Sequence, residues 1–129
     1  MKKHIVLFLL LLTTIVSCKT DATEEIKVVS QEEMQTYINM EDVQLIDVRT
    51  PEEYGAGHIA AAQNINFLSP TFEKDIQKLD KNKPVLVYCQ MGGRSAKCAE
   101  KMKALGFTKI LDYKGGYSKW KSLELPIEK

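Results

Sequence analysis

Pro84-Val85-Leu86-Val87-Tyr88-Cys89-Gln90-Met91-Gly92-Gly93-Arg94-Ser95 is the stretch that decides the fold. Its first six residues are almost continuously apolar and rich in β-branched side chains. That pattern suits a central strand of a parallel sheet, buried on both faces. Gln90 to Arg94 reads as a glycine-containing loop, and Ser95 to Leu105 as a helix stopped by Gly106 at its C-cap. Cys98, Ala99, Met102 and Leu105 share one face of that helix, the face that meets a sheet. A strand, a tight loop and a helix in succession place Cys89 at the carboxyl edge of a sheet, where open α/β folds hold their ligands.

Working outward, Asp80-Lys81-Asn82-Lys83 is a turn into this strand. Ser69-Pro70 opens a helix that buries Phe72, Ile76 and Leu79. Ile59 to Ile65 reads as a short strand, and Val43 to Val48 as a buried one. Thr50-Pro51-Glu52-Glu53 is a capping box with proline at the first helical position, and Ser30-Gln31-Glu32-Glu33 is a second, starting a helix to about Asn39. Ile26 to Val29 is a brief first strand, Ile110-Leu111 a last one, and Gly115-Gly116 a turn into a short helix carrying Trp120. Strands alternating with helices predict an α/β domain: a small parallel sheet flanked by helices on both faces.

Three features of the loop act on the Cys89 sulfur. The following helix offers free N–H groups and the positive end of its dipole. Gly92 and Gly93 let successive N–H groups curl inward as an anion-binding nest. Arg94 adds a fixed positive charge at the loop mouth. Each favours thiolate over thiol, and the same cradle suits any other sulfur anion. Cys98 is expected to be core. Asp47 and Arg49 are expected to brace the loops, with Arg49 able to pair with Glu52 or Glu53. Gly57-His58-Ile59 reads as a structural turn.

The spacing C-x-x-G-x-R resembles the active-site loop of single-domain rhodaneses. Asp47-Val48-Arg49, Glu52-Glu53-Tyr54, Gly57-His58-Ile59 and Ala62-Gln63-Asn64-Ile65 resemble that family's first signature. Gly115-Gly116, Trp120 and Pro126 resemble its C-terminal one. The resemblance implies a rhodanese-like fold over residues 26–129 and sulfurtransferase chemistry. Cys89 would attack the outer sulfur of a small donor, thiosulfate, polysulfide or a persulfide, and carry it as Cys89–S–S⁻ to cyanide or a thiol. Cys89 and Arg94 would be catalytic. Gln90, Met91, Gly92, Gly93 and Ser95 would bind the substrate. Neither metal nor organic cofactor is needed. Because Arg94 is the one cation in the loop and Met91 is apolar, dianionic thiosulfate is expected to be a poorer donor than polysulfide.

The amino-terminal residues carry a different message. Lys2 and Lys3 precede an apolar run from Ile5 to Leu12, and Ile15-Val16-Ser17-Cys18 resembles the bacterial lipobox. Residues 1–17 are therefore expected to be a lipoprotein signal peptide, Cys18 the lipidation site and residues 18–25 a lipidated tether. The domain would then sit outside the cytoplasm on a bacterial cell-envelope membrane, where an envelope protein is a further possible sulfur acceptor. Of three cysteines this leaves Cys89 and Cys98, too few for a disulfide framework. A formal net charge of +1 gives no reason to expect nucleic acid as a partner.

Two rival functions have sequence tests. Phosphatases and arsenate reductases related to this fold place five residues between cysteine and arginine, whereas Gln90 to Gly93 leave a smaller ring. A non-catalytic membrane-tethered scaffold or sulfur-carrier module is the other, and its inactive members usually lack the loop cysteine.

Overall fold

The computed structural model describes residues 25–129. The signal segment, Cys18 and all but the last residue of the expected tether lie outside that range. Five parallel strands form one sheet in the order β1 (Glu25–Val29), β6 (Lys109–Tyr113), β5 (Val85–Tyr88), β2 (Gln44–Asp47), β4 (Gln63–Asn64). The predicted central strand is central, paired on both edges, and its four residues are all buried.

Side-chain alternation divides the core. On one face Val85, Val87 and Ile110 pack against α3 (Phe72–Ile76) and α4 (Gly93–Ala104), which contribute Phe72, Ile76, Cys98, Ala99 and Met102. On the other, Leu86, Tyr88, Leu111 and Tyr113 meet Met34 of α1 (Gln31–Tyr37) and Tyr117 and Trp120 of α5 (Gly116–Ser122). Tyr54 of α2 (Pro51–Ala56) packs on this second face, so helices cover both, as expected. Both predicted capping boxes are formed, Ser30 with Glu33 and Thr50 with Glu53.

Several boundaries move. The strand expected over residues 59–65 is two two-residue strands in different sheets. His58–Ile59 (β3) pairs antiparallel with Ile127–Glu128 (β7), while Gln63–Asn64 extends the main sheet. Between them Ala61 adopts a left-handed φ of 67°, and that reversal is what breaks the strand. Three consecutive alanines tolerate the turn and carry no alternating pattern to reveal it. The last strand of the main sheet runs two residues past Leu111, to Tyr113, and β7 follows it. The first helix ends at Tyr37 rather than near Asn39. The helix after the cysteine begins at Gly93, two residues earlier than expected, which brings its amino end closer to Cys89.

Trp120 closes the carboxyl-terminal segment, its indole N–H donating to the Pro126 carbonyl at 2.9 Å. Gly116 is where α5 meets the Cys89 loop. Its φ is +66°, and a Cβ there would lie 2.5 Å from the Gln90 carbonyl and 2.8 Å from that of Cys89. Gly116→Ala is expected to cost about 2 kcal/mol or more of folding stability, read as a lower urea midpoint. An unchanged midpoint would show that α5 can back away from the loop.

Candidate active site

Cys89 follows β5 directly and is only 1% exposed. Its Sγ accepts the Gly92 N–H at 3.1 Å and lies 3.6 Å from the Ser95 hydroxyl, which donates to the Gly92 carbonyl at 3.2 Å. Gly92 makes this turn with φ +97°, and a Cβ on it would collide with the Lys114 carbonyl at 2.6 Å. Gly93 is different: it is already helical, and a Cβ there would meet open space.

The loop hangs by its carbonyls. The Tyr117 N–H donates to the Cys89 carbonyl at 2.8 Å and the Ser118 N–H to that of Gln90 at 3.1 Å. Across each planar trans peptide the N–H opposes the carbonyl, so the amides of Gln90 and Met91 point away from α5. Among the described residues, the amides of Met91, Gly93, Arg94 and Ser95 donate to no protein acceptor. The last three are the orphan donors of the start of α4, in the turn that carries the Gly92 N–H to the sulfur.

The candidate residues divide by position. Cys89, Gly92 and Ser95 meet at the sulfur. The Met91 side chain is 78% exposed on the rim. The Gln90 side chain is used structurally, its Oε1 accepting from Arg49 and its Nε2 donating to Ser118. Arg94 is not a free cation: it forms a two-pronged ion pair with Glu53, at 2.7 and 2.9 Å. Arg49 pairs with Asp47, not with Glu52 or Glu53, because the two lie at the same strand end with their side chains enclosed. It reaches on to the Gly57 carbonyl at 2.7 Å and bridges to Gln90. Lys114 adjoins the loop as well, its carbonyl and Cγ lying against the place a Gly92 Cβ would take.

Sequence reasoning missed Glu53, Lys114, Ser118 and Asp112. Glu53 was visible as a helix cap and as a candidate partner of Arg49, but its actual partner, Arg94, is 41 positions away. Burial pushes the Asp112 carboxyl above its ordinary range, and drives the Cys98 thiol up to about 12, leaving that thiol an inert core group. His58 turns one ring nitrogen to the Tyr54 carbonyl at 2.9 Å and the other toward Glu128, and stacks on Tyr54.

Glu53 is held down to about 2 from an ordinary 4.5, chiefly by its hydrogen bonds from Arg94. A depressed carboxylate stabilises the fold above its unfolded value and loses that contribution as pH falls toward its folded one. Glu53→Gln should therefore unfold at a lower temperature than the parent at neutral pH. The gap should close as pH drops from about 4.5 toward about 2. A gap that does not change with pH would mean the ion pair adds nothing to stability.

The rhodanese-like domain family matches residues 30–123. The Bacillus subtilis protein YqhL is 43% identical over 77 residues, a match spanning 60% of each chain. Thiosulfate sulfurtransferase 16 of Arabidopsis thaliana, a chloroplastic protein, is 35% identical over 93 residues, covering 64% of this chain and 78% of the relative. The crystal structure of a rhodanese-like domain protein from Staphylococcus aureus superposes with a TM-score of 0.65 at 30% identity, covering 74% of this chain and 91% of that one. The chain belongs to the rhodanese-like domain family.

Proposed function

We propose that this protein is a sulfurtransferase that carries sulfane sulfur on Cys89. The observation that carries the reading is the buried sulfur accepting the Gly92 N–H in a loop whose neighbouring amides have no protein acceptor among the described residues. The Cys89 thiolate attacks the outer sulfur of a donor; with thiosulfate, the sulfur–sulfur bond breaks and sulfite leaves with its electron pair. The product is Cys89–S–S⁻. A thiophilic acceptor then takes the terminal sulfur: cyanide leaves as thiocyanate, or a thiolate leaves as a persulfide, and the Cys89 thiolate returns. The attacking thiolate and the persulfide are both anions, and fixed N–H groups stabilise both without reorganising.

Donor choice follows from charge. Arg49 and Arg94 each have a carboxylate partner, and Lys114, exposed, adjoins the loop at Gly92. A polysulfide, with its charge spread along a sulfur chain, or a singly charged small persulfide fits this balance better than the compact dianion of thiosulfate. A lipid on Cys18 would hold the domain at a bacterial envelope membrane, where small thiols or an envelope protein would accept the sulfur.

Intact-mass spectrometry of the full chain in detergent, after treatment with thiosulfate or polysulfide, tests both statements. The expected result is a gain of one sulfur atom, removed by cyanide and absent in Cys89→Ser, with polysulfide loading faster. No adduct from either donor would overturn the carrier reading. Equal or faster loading by thiosulfate would overturn the donor preference alone.

A further inference from the structure

Asp112 has no part in the chemistry above, yet it sits beside it. Alternation along β6 puts Ile110 and Asp112 on the face of β5 that carries Val87 and leads to Cys89, under α4. Asp112 is 3% exposed, and its Oδ1 has no hydrogen-bond partner among the described residues. Val28 of β1 and Val87 of β5 flank it in register and bring no charge. The titratable and polar groups that act on it are Ser95, Cys98 and, just past the end of its own strand, Lys114; Ser95 in turn touches the Cys89 sulfur. None of the ion pairs among the described residues includes it.

A buried carboxylate with empty lone pairs is costly. The neutral acid avoids that cost and brings an O–H donor. Ser95 lacks such a donor. With Cys89 as a thiol, the Ser95 hydroxyl accepts from sulfur and donates to the Gly92 carbonyl. With Cys89 as an anion, the single hydroxyl proton must turn toward sulfur, and the serine lone pairs then need a donor of their own.

We propose that Asp112 is a positioning residue: as a carboxylic acid it donates to Ser95 and so turns the Ser95 hydroxyl onto the sulfur anion of Cys89. The chain is Asp112 O–H to Ser95 Oγ, then Ser95 O–H to Sγ, with no net proton transfer. Ionised Asp112 would have the opposite effect, accepting the Ser95 proton and withdrawing it from the sulfur. The inference rests on reading Cys89 as the nucleophile, but its test uses no sulfur donor, so it can fail independently of sulfur transfer.

The test is the pH profile of Cys89 alkylation by iodoacetamide in the full chain. Asp112→Ala removes the donor and should slow alkylation about three- to tenfold on the rising limb, the worth of one hydrogen bond. Asp112→Asn keeps a neutral donor and should restore most of that loss. In a Ser95→Ala background the Asp112→Ala effect should vanish, since its route to sulfur is gone. An Asp112→Ala profile superimposed on the parent, or an effect undiminished without Ser95, overturns the proposal. Should Asp112→Ala fail to fold, infrared difference spectra of the parent against Asp112→Asn decide. A carboxylic-acid carbonyl band at neutral pH, lost in the variant, supports the proposal, and a carboxylate band overturns it.

Discussion

A guanidinium enclosed at the carboxyl edge of the sheet is the constraint on which the site depends. Arg49 is 1% exposed, and its donors are distributed over three segments of chain: Asp47 at the end of β2, the Gly57 carbonyl after α2, and Gln90 in the cysteine loop. The Tyr117 ring lies 4.2 Å from it and adds α5 as a fourth contact. Burying an ion pair gains little stability by itself, because desolvation opposes the attraction. What it gains here is position, since parting Arg49 from Asp47 would strand a charge in the interior and each neutral contact ties another segment to that pair.

Given that anchor, the cradle is a by-product of how the loop is hung. α5 takes the carbonyls of Cys89 and Gln90, Gly116 lets it come close enough to do so, and the N–H groups that remain face the other way. An anion is therefore met by fixed amide dipoles, while both nearby arginines are satisfied by carboxylates. This division suits the proposed cycle. Amides stabilise thiolate and persulfide alike, whereas an unpaired arginine at the mouth would also retain a dianionic donor or a departing sulfite.

Much of this was legible because it is local. An apolar run ending in cysteine, a three-residue capping spacing and a helical stripe each express themselves within a dozen residues. The central strand, both capping boxes and the placement of Cys89 follow from such signals. What was hidden is long-range. Nothing near Glu53 announces Arg94, nothing near Gly92 announces Lys114, and the two-residue β7 is too short to have a period. Asp112 was missed for a sharper reason: reading Ile110-Leu111 as the whole strand stopped one residue short of the alternation that aims Asp112 at the site.

Glu53 shows how a local signal can mask a distant one. Its Oε2 accepts from the Thr50 N–H and hydroxyl, closing the capping box, and from Arg94 as well. α2 is six residues long and buries none of its side chains fully, so its packing alone holds it weakly. One carboxylate thus caps the helix and fastens it to the first turn of α4, next to the cysteine. With Arg49 below and α5 behind, the loop is held from three sides. Rigidity of that kind lets unpaired amides act as a preformed anion site, because ordering them at the moment of reaction would otherwise oppose much of what they contribute.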